Sequence, residues 1–242
     1  MDVRRKPFQG VGNIIRFNWH FYLLSLLVVA AGYYFGWYVI TSLAVGASIV
    51  SLLVSWYIYD YSDLYELNWI PGSHTEGVIV NIHAGFDETS LLLAKKFSSS
   101  SLQIIDFYNP EKHTEVSIKR ARKAYPVLPQ TVSADTNKLP LESASADKIF
   151  VIFSAHEIRD PAERTVFLKE LARIIKPGAE IYITEHLRDP ANFIAYNIGF
   201  LHFYSKKNWL QHFQNAGLQV NQELKLTPFI STFIISANDH SF

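Results

Sequence analysis

Cysteine is missing from all 242 residues. That excludes disulfides, thiolate metal sites and cysteine nucleophiles, and it suits a reducing compartment. Net charge is missing too. The 22 basic and 22 acidic residues cancel, so no global field draws the chain to nucleic acid. A third absence is local: no Asp, Glu, Lys or Arg occurs from Phe17 to Tyr59. A bilayer-spanning helix needs roughly 20 apolar residues, so this run fits two tight passes better than one. It is too long for a cleaved signal peptide, and no small-residue cleavage site followed by polar sequence ends it.

Aromatic residues, by contrast, are plentiful, and in this run they cluster at three places. Trp19, Phe21 and Tyr22 stand at its start; Tyr33, Tyr34, Phe35, Trp37 and Tyr38 in its middle; Trp56, Tyr57, Tyr59 and Tyr61 at its end. Aromatic side chains settle at membrane interfaces. Two ends sharing one interface, with a Gly32/Gly36 turn at the other, is the pattern of a helical hairpin, spanning or dipping in without crossing. Arg4, Arg5, Lys6 and Arg16 put the N-terminus in the cytoplasm. A hairpin then returns the rest of the chain to the same side, so a cytoplasmic-membrane location with the main domain facing the cytoplasm is expected. His20 reads as an interfacial side chain, and Asp60, Asp63 and Glu66 as a solvated connector. The boundary falls near Tyr61, giving an anchor over 1–61 and a globular domain over 62–242.

Within that domain, Lys148 to Phe153 is a short apolar run suited to a buried parallel strand. Asp160-Pro161 reads as an N-cap with proline at the first helical position. Phe167, Leu168, Leu171, Ile174 and Ile175 then recur at helical spacing, so that face packs on a sheet. Pro177-Gly178 is expected to stop the helix and Glu180 to Thr184 to form the next strand. Strand, helix, strand is the right-handed unit of an α/β sheet, whose ligands sit beyond the carboxyl ends of the strands. Other strands are expected at Leu102–Ile105, Thr131–Ala134, Val220–Lys225 and Phe229–Ser236, the last two as an antiparallel hairpin around Thr227-Pro228. Helices are expected at Glu88–Lys96, capped by Asp87, at Lys112–Ala124 and at Lys207–Ala216. The second of these carries Lys119, Arg120, Arg122 and Lys123, read as a solvated face or as a contact for anionic head groups.

The ordered segments Asp135-Thr-Asn-Lys-Leu139-Pro140-Leu141, Asp147 to Phe153 and Glu170-Leu-Ala-Arg173-Ile-Ile-Lys176-Pro177-Gly178 resemble those of the class I S-adenosylmethionine-dependent methyltransferases, in particular the small-molecule branch. The resemblance runs from about Glu76 to the C-terminus. It implies a Rossmann-like, doubly wound, seven-stranded α/β sheet and S-adenosylmethionine as cofactor. The strand from Gly77 and the loop through Asn81, His83 and Gly85 fall where that family has its first strand and glycine loop. The family usually has an acidic residue where this chain has Asn81, and glycines where it has His83 and Asp87. Losing two glycines restricts how closely the backbone approaches a ligand, which singles out the methionine end of the site. Asp106 is expected to accept hydrogen bonds from the ribose hydroxyls, with Phe107 or Tyr108 stacking on the adenine. Asp135 is expected to meet the adenine amino group, with Thr136 beside it and Ser154 completing the cofactor-binding set.

Methyl transfer requires alignment of donor and acceptor, and removal of the acceptor's proton where it does not leave unaided. His156 with Glu157, and Glu185 with His186, are two His/Glu neighbours at adjacent strand tips, a base-plus-orienter arrangement. They are the expected catalytic residues, and no metal centre is expected. The aromatic segment Asp189–Lys207 is expected to cover a lipophilic acceptor delivered from the bilayer held by residues 17–59. A phenolic or quinone-like ring is the first choice and a phospholipid amine the second. A degenerate, non-catalytic methyltransferase fold serving as a membrane scaffold is the rival reading. The sequence leaves the oligomeric state open.

Overall fold

The computed structural model describes residues 5–72 and 77–238. Arg4, of the N-terminal basic group, and Glu76, where the family resemblance begins, lie outside them. Two long apolar helices come first, α1 (Gln9–Tyr34) and α2 (Tyr38–Trp56), folded into an antiparallel hairpin. Both are long and apolar enough to cross a membrane, and almost none of their side chains are covered by protein. Gly36 makes the turn at φ +73°, a conformation that favours glycine. At the opposite end the two helices meet through Asp60. Its carboxylate accepts hydrogen bonds from the free N–H groups of Gly10 and Val11, both at 2.7 Å, and so caps α1. Asp60 is therefore part of the hairpin's closure rather than a solvated connector; Asp63 and Glu66 are exposed as expected.

The globular part is a seven-stranded sheet in the order β3-β2-β1-β4-β5-β7-β6. Its strands are β1 (Val78–His83), β2 (Ser101–Asp106), β3 (Thr131–Ser133), β4 (Ala146–Ile152), β5 (Ile175–His186), β6 (Leu218–Thr227) and β7 (Ile230–Ala237). The first five run parallel, and β7 inserts antiparallel between β5 and β6. Helices α3 (Ser90–Lys96), α4 (Val116–Ala124), α5 (Pro161–Ile174), α6 (Pro190–Tyr196) and α7 (Lys206–Asn215) connect and cover it. The expected fold class is the observed one. One face of the sheet packs Val80, Ile82, Ile149, Val151, Ile181 and Ile183 against Phe167, Leu168 and Leu171 of α5 and Trp209 and Phe213 of α7. Truncating a buried Leu there, such as Leu171→Ala, would cost about 2–5 kcal/mol. The other face carries Ile79, Phe150 and Tyr182, covered by α3 and by Leu67 and Ile70.

Most element edges shift by a residue or two, and three of the differences have a clear local cause. The helix capped by Asp160, which accepts from Glu163 N–H at 2.7 Å, ends at Ile174. Ile175 already pairs with Ala146, so Pro177-Gly178 bulges out within β5 instead of ending a helix. Helix α4 begins at Val116, not Lys112. Asn109 and His113 bond locally, Asn109 N–H to His113 Nδ1 and Glu111 N–H to Asn109 Oδ1, and so compete with helix formation. Helix α3 begins at Ser90, with Asp87 Oδ1 accepting from the N–H groups of Thr89 and Ser90.

Candidate functional site

The carboxyl ends of β1, β2 and β3 form the first half of the site. Alternation along β1 turns Val80 and Ile82 to the core under α5 and turns Asn81 and His83 to the opposite face. Asn81 is buried at the start of α3, its amide donating to Ser90 Oγ at 2.7 Å and Thr89 Oγ1 at 3.0 Å. His83 is buried as well; Nδ1 accepts from Gly85 N–H at 3.2 Å, leaving the hydrogen on Nε2. Burial lowers the His83 pKa, against the pull of Asp87 and Asp106. Three polar atoms here are buried without a partner among the described residues: Asn81 Oδ1, Asp87 Oδ2 and His83 Nε2. The last two are 3.8 Å apart, too far for a hydrogen bond. Two orphan acceptors and one orphan donor are what an amino-acid zwitterion needs, with its ammonium on Asn81 and Asp87 and its carboxylate on His83. The residues replacing the usual glycines thus carry polar atoms of the kind the methionine end needs.

Asp106 stands at the tip of β2, as expected, but its carboxylate is engaged. Tyr108 N–H donates to Oδ1 at 2.9 Å and Arg122 Nη1 to Oδ2 at 2.5 Å. The Arg122 guanidinium lies over the Tyr108 ring, and both press on Gly85, whose φ is +87°. A Cβ on Gly85 would meet Tyr108 at 2.9 Å, so glycine is required by close approach as well as by conformation. Beside them a cleft of about 430 Å³ opens, lined by Tyr108, Asn109, Ser133 and Asp135 among others. Asp135 is exposed at its rim.

Three expected cofactor residues have other work. The Phe107 ring is buried against Phe167 and His113, so ring stacking on a ligand falls to Tyr108. Thr136 is buried and donates to Glu163 Oε1, tying the β3 loop to α5. Ser154 donates to the Ile82 carbonyl at 2.9 Å and holds the tip of β4 to β1.

The second half lies at the tips of β4 and β5, where a short turn, Ala155–Glu157, follows β4. Glu185, fully buried, accepts from both the backbone N–H and Nδ1 of His156, at 3.1 and 2.6 Å. His156 Nε2 lies 3.1 Å from Glu157 Oε1. Burial alone would lower the His156 pKa, but Glu185 and Glu157 overcome it and raise it to about 10. Glu157 is pushed the other way: burial opposes its charge, yet His156 holds it well below the carboxylate range. His202, from the aromatic segment, approaches the same carboxylate at 3.7 Å. His186 is separate from this cluster. Its ring stacks between Phe153 and Phe203; Tyr59 donates to Nε2 at 2.7 Å, and Nδ1 donates to the Phe229 carbonyl at 3.0 Å. Burial lowers its pKa to about 4, helped by the charge of His156. The expected His186–Glu185 pair therefore does not form.

Sequence reading misses Arg122 as the partner of Asp106, and misses Glu88. Directly after the loop, Glu88 collects Arg5 at 2.8 Å, Asn13 at 3.1 Å and Tyr65 at 3.0 Å, joining the hairpin to the cofactor side. Their spacing in sequence gives no local signal for these contacts.

A family model described as a methyltransferase domain matches residues 92–183. The chain carries a class I methyltransferase domain. A search among curated proteins finds no match. Among solved structures, a chain of the complex between the Haloferax volcanii Trm112 methyltransferase activator and the putative methyltransferase is 15% identical. It covers 74% of this chain and 89% of its own, with a TM-score of 0.53. Human N-acetylserotonin methyltransferase, solved in complex with SAM, is 13% identical over 80% of this chain and 56% of its own, also at 0.53. At such identities these likenesses speak to the fold, which agrees with the observed strand order. Class I methyltransferases are S-adenosylmethionine-dependent enzymes. In this methyltransferase the unpartnered atoms of Asn81, His83 and Asp87 lie around the loop after β1, and the cleft lined by Tyr108 and Asp135 opens beyond β2 and β3.

Proposed function

We propose that this chain is a membrane-anchored S-adenosylmethionine-dependent methyltransferase that works at the cytoplasmic face on a lipophilic small molecule, a phenolic or quinone-like ring methylated at oxygen or carbon. The observation that carries the lipophilic reading is the segment from α6 to His202. It exposes Phe193, Ile194, Ile198 and Leu201, packs through α6 on α2, and ends at the His156–Glu157 cluster. An apolar path from the hairpin to the polar cluster suits an acceptor with an oily body and one reactive group.

The bound cofactor supplies an electrophilic methyl group for in-line displacement. The chain's part is to orient and to handle charge. Asn81, Asp87 and His83 hold the amino-acid end, and Asp106 accepts the ribose hydroxyls after exchanging Arg122 for them. Tyr108 flanks the base. On the acceptor side, Glu185 fixes His156, whose raised pKa keeps it cationic at neutral pH. A cationic His156 favours loss of the acceptor's hydroxyl proton to water and stabilises the resulting oxyanion by charge, instead of taking that proton as a free base. Glu157 keeps an ionised carboxylate beside it.

Calorimetry on the detergent-solubilised full chain tests the cofactor half. Binding of both the cofactor and its demethylated product is expected, weakened at least tenfold in Asp106→Ala; no heat with either ligand leaves the scaffold reading. His156→Ala tests the acceptor half. Transfer of labelled methyl into the organic extract of the host membranes should fall at least a hundredfold, with product affinity within a few-fold of wild type. Undiminished transfer removes His156 from the mechanism.

A further inference from the structure

Around Glu157 two imidazoles converge, each backed by a carboxylate of its own. His156 Nδ1 is held by Glu185 at 2.6 Å, which leaves Nε2 directed at Glu157 Oε1, 3.1 Å away. His202 Nδ1 lies 2.9 Å from Glu115; its Nε2 stands 3.7 Å from the same Glu157 oxygen and is touched by Arg159 Nη2, which must turn aside for an ion to bind there. One ligand atom each from His156, Glu157 and His202 can be chosen so that all three lie within 4.8 Å of one another. An ion bound at about 2.1 Å from each would draw them to roughly 3.4 Å spacing. The contraction is small, because His156 and Glu157 are already close and His202 ends a partly exposed turn.

We infer that His156, Glu157 and His202 form a binding site for a divalent transition-metal ion of the zinc class. Two arguments beyond proximity support it. First, a histidine that ligates a metal through one nitrogen characteristically gives its other N–H to a carboxylate. His156 has that arrangement, with Glu185 on β5, and the other nitrogen of His202 stands 2.9 Å from Glu115, just before α4. Second, charge fits. An ion at His156 Nε2 takes the place of the proton this nitrogen holds in the metal-free protein, so with the ion bound both imidazoles are neutral and Glu115, Glu157 and Glu185 bring three negative charges. Arg159, which donates to Glu115 and lies against the His202 ring, and Arg164, whose charge acts on Glu185, return two, and the remaining negative charge favours a cation. His113 also faces Glu157 and adds no fixed charge when neutral.

Two imidazoles and one carboxylate are the ligand set of zinc sites that keep an open coordination position. In this molecule the ligands stand at the end of the apolar segment from α6, so the open position would take the acceptor's oxygen. That role rests on the methyltransferase reading; the site itself does not.

The full chain in detergent, stripped with a chelator, is titrated with Zn²⁺ alone in a calorimeter. One equivalent should bind at micromolar affinity or tighter. His202→Ala and Glu157→Gln should each weaken binding at least a hundredfold, and Glu185→Gln, which touches only the back of His156, tenfold to a hundredfold. Because His202 is partly exposed, its variant is expected to fold. Where a variant does not, Co²⁺ on the wild-type protein reads the site without substitution, through the visible bands of a four- or five-coordinate nitrogen and oxygen set. Absence of stoichiometric Zn²⁺ binding, wild-type affinity in His202→Ala, or an octahedral aqueous Co²⁺ spectrum overturns the site and leaves an ion-paired cluster. Binding of the demethylated cofactor product is measured on the same samples. Zinc binding without it overturns the enzyme reading alone, and the reverse overturns the metal site alone.

Discussion

The tips of β4 and β5 carry the same two residue types in neighbouring positions, and they end in opposite states. At β4, His156 lies between Glu185 and Glu157 and is held as a cation. At β5, His186 lies among Phe153, Phe203 and Tyr196, bonded to one hydroxyl and one carbonyl, and is held neutral. The cause is the two-residue period of a strand. Ile181, Ile183 and Leu187 face α5 and α7, while Tyr182 faces α3. Consecutive side chains point to opposite faces, so Glu185 and His186 cannot serve one site. Glu185 therefore crosses to the histidine beyond the adjacent strand β4, and His186 becomes the seat for the apolar helical hairpin. One glutamate sets the chemistry of one tip and its departure sets the packing of the other.

Removing that glutamate's charge breaks the comparison most severely. Glu185→Gln keeps the shape but leaves His156 buried with Glu157 as its sole carboxylate partner. Taking away one member of a buried ion pair is expected to cost about 3 kcal/mol, which would lower the melting temperature by roughly 6–12 °C for a chain of this size. Thermal unfolding in detergent with chelator present measures it. A melting temperature within 2 °C of wild type would mean that the Glu185–His156 pair adds little.

Acid sharpens the comparison from the other side. The folded His186 pKa, about 4, lies below the unfolded value of about 6.5. Between those values the unfolded chain binds the extra proton, so stability rises with pH. His186's contribution is full above about 6.5 and is lost as pH falls towards 4, amounting to about 3 kcal/mol. The groups facing it are Tyr59 from the hairpin, Tyr196 from α6, and the histidines 156 and 202. His186→Gln cannot titrate, and it should flatten the fall in melting temperature between pH 6.5 and 4. An unchanged slope would assign the acid sensitivity to other groups.

Much of this architecture can be read from the residues. The Asp160-Pro161 cap, the buried run around Phe150 and the face of Phe167, Leu168 and Leu171 are local signals, and each lands where spacing puts it. Asp106 and Gly85 also fall at the strand tip and the tight turn the family resemblance implies. What escapes is pairing across the fold. Arg122 reads as part of a solvated face because nothing local reveals that α4 brings it onto Asp106. Asp60 reads as a connector because the N–H groups it caps lie some fifty residues earlier in the chain. Glu185 and His186 are a different case. Adjacency suggests a pair, although strand alternation, the same rule that sorts the core residues, separates them.

The smallest expected effect concerns the joint between hairpin and domain. Tyr59→Phe deletes the hydroxyl that donates to His186 Nε2 and changes nothing else in the ring's packing against Phe153. A net hydrogen bond contributes about 1 kcal/mol, and leaving the buried nitrogen without a donor adds to the cost. A fall of roughly 2–4 °C in melting temperature is expected. In His186→Gln the same Tyr59→Phe change should cost less, because the two groups share one interaction, and a double-mutant cycle isolates that coupling. Strict additivity of the two substitutions would show that the hairpin is held to this tip by packing, with the Tyr59–His186 bond contributing nothing.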